Sequence, residues 1–379
     1  MKPIRMVDLK GQYDRIKNEI DAAIQEVAES TAFINGPAVG RFQKNLEHYL
    51  GVKHVIPCAN GTDALQVAMM AVGLKPGDEV ITVSFTFVST VEVIALLGLK
   101  PVLVDVDPDT FNMDPDQVRK AITPRTRAII PVHLFGQCAE MESILQIARE
   151  NQLLVIEDAC QAIGSDYRFS DGTVRKAGTM GEIGTVSFFP SKNLGAFGDG
   201  GALFTNDDAL ASQMRGIVNH GMFTRYHYDY IGVNSRLDSI QAGILDVKLK
   251  YLDQYARQRQ EAADYYDRGL EQCPGVKIPY RASYTSHVFH QYTLRIIHAD
   301  RNALQKYLQE KDIPAMIYYP VPLHLQKAYR DTGYAVGDLP VTEALCDVVL
   351  SLPMHTELDH EQQDHIIQSI LEFLKQNGS

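Results

Sequence analysis

The chain has 379 residues, 45% hydrophobic and 22% charged, with a formal net charge of −11. Its length calls for a large domain plus a smaller one. The acidic total excludes the basic stripe of a nucleic-acid binder, and no apolar run approaches the ~18 residues that a membrane span requires. The five cysteines, Cys58, Cys138, Cys160, Cys273 and Cys346, are widely spaced without zinc-ligand spacing, so no metal is expected. A reducing cytoplasm is the expected setting, since MKPIRMVDLKGQYDR has no apolar core of a secretory signal.

Tyr13, Ile16, Ile20, Ile24 and Val27 recur at helical spacing and predict an amphipathic first helix. A second helix is expected after Asn35-Gly36-Pro37, with Val39, Phe42, Leu46 and Leu50 on one side. Apolar runs follow at 54–58, 79–83, 101–106, 128–134 and 153–156, separated by helical patterns at 64–72, 91–97, 115–122 and 141–150. Strand–helix–strand at this rhythm predicts a mainly parallel sheet covered on both faces, hence an α/β fold. Two further runs, 185–189 and 202–205, bring the sheet to about seven strands. From Asp238 a long helical stretch leads to a second region, with a strand at 291–296, a helix at 303–308, a Pro-rich loop at 319–323 and a terminal helix at 361–375.

In such sheets ligands bind beyond the carboxyl ends of the strands, and several of these ends carry polar residues. CANGTDA, residues 58–64, follows a strand and opens a helix, whose N-terminus attracts anions; it also reads as an ordinary helix cap. Phe85 in SFTF reads either as a stacking face for a flat ring or as a core side chain. Glu157 and Asp158 end another strand and point to opposite sides, so only one need face a ligand. Ser187 precedes Lys192 by five residues, and Lys192 sits between a strand and a loop rich in glycine (Gly195, Gly198, Gly200, Gly201) that lets backbone approach a ligand. An anion cradle, a stacking face, a carboxylate and a nucleophilic amine together match the needs of pyridoxal 5′-phosphate. A nicotinamide-dependent oxidoreductase would instead need GxGxxG after the first strand, which CANGTDALQ lacks.

CANGTDAL, SFTFVST, PVLVDVD, IPVHLFGQ, VIEDACQAIG, SFFPSKNLGAFGDGGA, NSRLD and YYPVPLHLQ resemble the sugar aminotransferases of the DegT/DnrJ/EryC1/StrS family, over nearly the whole chain. The resemblance implies the pyridoxal-phosphate fold type I: a large domain (1–250) with a mostly parallel seven-stranded sheet and a smaller α+β domain (251–379). It implies that Lys192 carries the cofactor, that Asp158 partners its ring nitrogen and that Gln161 contacts its hydroxyl face. Gly61, Thr62 and Ser187 are similar to the family's phosphate ligands and Phe85 to its stacking aromatic. Asn234 matches a residue that reaches the phosphate of the neighbouring subunit, which implies a homodimer with shared sites. Arg236, Tyr318, Tyr319 and His324 occupy positions on the nucleotide-sugar side.

The implied reaction carries the amino group of L-glutamate to a 3-oxo nucleotide-linked sugar of surface-polysaccharide synthesis. RYHYDYIGVNSRLD looks most like the enzymes acting on UDP-2-acetamido-2-deoxy-3-oxo-glucuronate. Tyr318 departs from the histidine those enzymes tend to carry, which keeps dTDP-3-oxo-6-deoxyhexoses and 4-oxo sugars open. Related sugar dehydratases typically replace the lysine by histidine, so Lys192 argues for transfer. A non-catalytic regulator that keeps the fold is a further alternative.

Overall fold

The computed structural model describes residues 2–377; residues 1, 378 and 379, the outer ends of the two expected domains, lie outside the described residues. Seven strands form the principal sheet: β1 (His54–Cys58), β2 (Glu79–Val83), β3 (Lys100–Val104), β4 (Thr126–Ile129), β5 (Leu154–Asp158), β6 (Ile183–Ser187) and β7 (Gly201–Thr205), in the order β1-β7-β6-β5-β4-β2-β3. All neighbours are parallel except those of β7, which runs against both β1 and β6. The carboxyl ends of the other six strands therefore share one edge with the start of β7, where Gly201 pairs with both Cys58 and Ser187.

The strands are apolar on both faces because helices cover both. Ile81, Val83, Ile129 and Val155 join one buried cluster with the helix Met141–Asn151, whereas Val80, Ala128, Ile156 and Ile183 join another with the helix Gly61–Ala71. Alternation along each strand assigns residues to the two clusters. Beyond β1, the helix Pro37–Leu50 buries Phe42 and Leu46 completely, each worth roughly 1.5–3 kcal/mol.

The expected first helix is two helices, Leu9–Arg15 and Lys17–Ser30, because Ile16 between them leaves helical geometry at φ −121° and ψ 19°. Ile16 and Ile20 still pack together on Ile244 and Val247, so the apolar period survives the break. The long helical stretch after Asp238 is likewise divided, into Ser239–Leu249 and Leu252–Leu270. The run expected at 128–134 leaves the sheet after Ile129, and Leu134–Gly136 forms a 3₁₀ turn.

A second antiparallel sheet comprises β8 (Val276–Lys277), β9 (Tyr292–Ile296) and β10 (Val349–Leu352). The helices Leu252–Leu270, Arg301–Glu310 and His360–Asn377 surround it around a core of its own. Ile4 packs on this core, so the N-terminal arm reaches the C-terminal region. β10 had no recognised signal, since VVLSL is a short apolar run directly continuing the helix Pro340–Val348. Among the described residues no helix is long and apolar enough to cross a membrane, and no cluster of His, Cys, Asp or Glu is arranged to hold a metal.

Candidate active site

The shared strand edge opens into a cleft of about 620 Å³, lined on the sheet side by Gly61, Thr62, Asp158, Gln161, Ser187 and Lys192. Tyr318, Tyr319, His290 and Gln291 line it from the C-terminal part of the chain. Residues as far apart as Gly61 and Tyr319 thus converge, the sheet residues because the parallel crossovers bring the carboxyl ends of six strands to one side.

Lys192 lies just past β6, where its N–H donates to the carbonyl of Phe189 at 2.8 Å. The glycine-rich loop beyond it packs backbone on backbone: a Cβ on Gly195 would stand 2.2 Å from the carbonyl oxygen of Pro190. Buried Lys248 donates Nζ to the Gly195 carbonyl, and Asn193 donates Nδ2 to Val288 at 2.9 Å. These ties hold the lysine in the wall. Burial pushes the Lys192 amine below its ordinary 10.5, with Asp158 pulling the other way, so the neutral, nucleophilic form is favoured relative to a solvated lysine.

The helix Gly61–Ala71 starts at the cleft. Asn60 caps it by accepting from the Asp63 N–H at 2.8 Å, leaving the Gly61 and Thr62 N–H groups without intrahelical acceptors. Gly61 is required there, since a Cβ would fall 2.7 Å from that of Ser187. Three donor positions for an anion, Gly61, Thr62 and Ser187, therefore meet at a helix N-terminus.

Asp158 is 4% exposed and lines the cleft, with Oδ2 accepting from the Thr90 hydroxyl at 2.8 Å and Oδ1 from the Cys160 N–H at 3.2 Å. Glu157 points the other way into protein, where it accepts from His133 Nε2 at 2.8 Å and from the N–H groups of Gly178, Met180 and Gly181. Gln161 is held between Phe135, whose N–H donates to Oε1 at 2.8 Å, and Tyr319, whose hydroxyl accepts from Nε2 at 3.2 Å.

Phe85 is not at the cleft. It is fully buried among Phe111, Phe135 and Tyr319, whereas Phe87, two residues on, is 53% exposed and lines the cleft. The ring face expected from Phe85 is available from Phe87 instead. Sequence reasoning missed this because β2 ends at Val83 and its alternation no longer applies to SFTF.

His324 does not line the cleft either: it is 1% exposed, its Nδ1 lies 2.8 Å from the Ser84 hydroxyl and its Nε2 3.1 Å from Glu343. It clamps the Pro-rich loop to the end of β2. His324→Phe is therefore expected to cost about 2 kcal/mol in urea unfolding, by removing the imidazole contacts to buried Ser84 and to Glu343 while the main-chain N–H at 324 still donates to Ser84 Oγ, with the KM for either substrate unchanged.

Asn234 is exposed outside the cleft, bridged to Asn219. Arg236 lines a separate pocket of about 240 Å³ with Arg215, Asn219 and Asn35. His290, Gln291, Thr86, Cys160 and Asp199 also line the main cleft without having been singled out; the first two carried no local signal, and Thr86 lay unused inside a motif already noted.

The donor set fits pyridoxal 5′-phosphate. Gly61, Thr62 and Ser187 can hold its phosphate, Phe87 can cover its ring, Asp158 can accept from its ring nitrogen and Lys192 can bind its aldehyde.

A model of the DegT/DnrJ/EryC1/StrS aminotransferase family matches residues 14–371. The "Pleiotropic regulatory protein" of Geobacillus stearothermophilus is 47% identical over 98% of this chain and 99% of its own. The UDP-2-acetamido-2-deoxy-3-oxo-D-glucuronate aminotransferase of Pseudomonas aeruginosa is 46% identical over 94% of this chain and 96% of its own. The crystal structure of NtdA from Bacillus subtilis, with bound cofactor PMP, is 33% identical, covers 98% of this chain and 83% of that one, and superposes with a TM-score of 0.88. The strand-edge cleft, its lysine and aspartate, and a match running almost from end to end agree: this chain is a pyridoxal-phosphate-dependent enzyme and belongs to the DegT/DnrJ/EryC1/StrS aminotransferase family.

Proposed function

We propose that this enzyme transfers the amino group of L-glutamate to UDP-2-acetamido-2-deoxy-3-oxo-glucuronate, a step in surface-polysaccharide sugar synthesis in the cytoplasm. The observation that carries this reading is the 46% identity, over nearly the full length of both chains, to the P. aeruginosa enzyme of that name. When bound, the cofactor supplies an electron sink that lets an amino acid lose its α-proton. Asp158, held by Thr90 and the Cys160 N–H, would accept from the ring nitrogen. Lys192 would hold the cofactor's aldehyde, and its amine would serve as the base that takes the α-proton and returns it. Gln161, tied to the Tyr319 hydroxyl, would meet the hydroxyl side of the ring.

The reading includes a homodimer. Among the residues lining the cleft, Lys192 faces the carboxylates Asp63, Asp158 and Asp199, a poor balance for a cofactor phosphate plus a nucleotide diphosphate. Arg236 and Asn234 sit outside their own cleft, beside a hairpin (222–228) that exposes Phe223, Tyr226 and Tyr228. In a second copy's site they would add the missing positive charge and donors. The division into domains at 250/251 belongs to the same proposal; the helix Leu252–Leu270 opens the segment that builds the second core.

A second reading follows from Tyr318. It lines the cleft as a half-buried phenol and offers no charge to a uronate carboxylate, which favours a dTDP-3-oxo-6-deoxyhexose, whose sugar ring is uncharged. Incubation with glutamate and a panel of UDP- and dTDP-linked 3- and 4-oxo sugars, with products identified by mass and NMR, separates the two. The first reading expects amination of the UDP-uronate at C3, at a kcat/KM at least tenfold above that of every dTDP sugar. Equal rates across the panel would sink it.

A further inference from the structure

The cleft has to take two unlike substrates in turn: an amino acid, whose α-carboxylate is charged, and a nucleotide sugar, whose reacting end carries hydroxyls and a carbonyl. Among the described residues no arginine of the same chain lines it, and the Arg236 proposed to enter from a second copy is placed against the phosphates rather than at the reacting end. An arginine fixed there would hold the carboxylate well, but would face the sugar as a desolvated charge without its counter-ion.

What lines the cleft opposite the sheet is a pair of neutral polar side chains at the entry to β9, His290 and Gln291, 7% and 9% exposed. Burial holds His290 well below the ordinary histidine range, with Lys192 and Arg259 adding to the effect, so its ring is uncharged. The two side chains touch each other only at the outer limit of hydrogen bonding, 3.5 Å between His290 Nε2 and Gln291 Nε2. The Gln291 main chain is anchored by its N–H to the Phe135 carbonyl at 3.3 Å, on the segment that also orders Gln161. Among the described residues the amide of Gln291, in a residue 9% exposed, has no stronger partner than that long contact, and His290 Nδ1 is buried without any. Polar groups that deeply placed ordinarily have a partner.

We propose that Gln291, assisted by His290, is the carboxylate-holding edge for the amino-acid donor. The amide donates N–H to the α-carboxylate in the first half of the reaction and, being both donor and acceptor, serves sugar hydroxyls in the second. Neutrality is what lets one edge serve both substrates. The inference rests on the transaminase reading, but not on glutamate being the donor.

The test uses the holoenzyme. Wild type is mixed with L-glutamate, L-glutamine, L-aspartate or L-alanine, and the decay of the cofactor's absorbance band identifies the donor used. Preference for an amino acid other than glutamate ends the glutamate reading and leaves this one to be tested on that donor. Gln291→Glu places a like charge against the carboxylate and is expected to slow this half-reaction about 100-fold; Gln291→Leu and His290→Leu slow it about tenfold. The α-methyl analogue of the donor, which has no α-proton to lose, should bind at least tenfold more weakly to both Gln291 variants by calorimetry, with cofactor affinity unchanged. Donor rates and analogue binding within threefold of wild type in both Gln291 variants would overturn the proposal, as would a cofactor affinity that falls in step with donor binding.

Discussion

Lys192→Ala is expected to lower turnover by on the order of 10⁴-fold, because in the proposed mechanism it removes both the attachment point of the cofactor and the base that moves the α-proton. The long-wavelength absorbance of covalently held cofactor should vanish with it. The apo-protein should keep its fold. In the unfolded chain the amine titrates near its ordinary 10.5, whereas burial lowers it in the folded one. Between those two values the unfolded chain binds a proton that the folded chain has shed, so this residue's contribution to stability falls as pH drops through that window. Alanine carries no such burden. At about pH 7 the apo variant should therefore unfold at a urea concentration no lower than apo wild type, with the difference shrinking toward the ordinary lysine pKa. Normal steady-state rates in Lys192→Ala would sink the chemistry assigned to the cleft.

The second large effect separates two neighbours on β5. Glu157→Ala should cost about 4 kcal/mol, because it strands His133 and the N–H groups of Gly178, Met180 and Gly181 without their acceptor in the interior. Asp158→Asn keeps the volume and can still accept from Thr90. It should change the unfolding free energy by no more than about 1 kcal/mol while reducing turnover by roughly 10²–10⁴-fold, since in the role proposed for Asp158 an amide cannot keep the ring nitrogen protonated. Urea curves and rates on the same two samples check both halves. If Glu157→Ala stays as stable as wild type, the latch read from its four donors does not carry the load described.

How far the sequence reached depends on whether a signal was local. Apolar runs and helical periods located the strands of the principal sheet to within a few residues, because a strand buried on both faces must be a continuous apolar run wherever it sits. Strand parity likewise separated Glu157 from Asp158: adjacent residues on an extended chain face opposite ways. The rule that ligands gather at strand ends places Gly61, Asp158, Ser187 and Lys192 together from the sequence alone.

The tertiary structure alone decided between the readings left open. Phe85 and Phe87 lie past the end of β2, where no period links side-chain direction to position, so packing against Phe111 and Phe135 chose which ring entered the core. His324 looked like a substrate ligand by its motif, yet Ser84, some 240 residues earlier, and Glu343 occupy both its nitrogens. His290 and Gln291 became visible only as walls of a cavity. A period or a capping residue is a property of neighbouring residues in the chain, whereas a cleft wall is a relation between segments that meet only after the chain has folded.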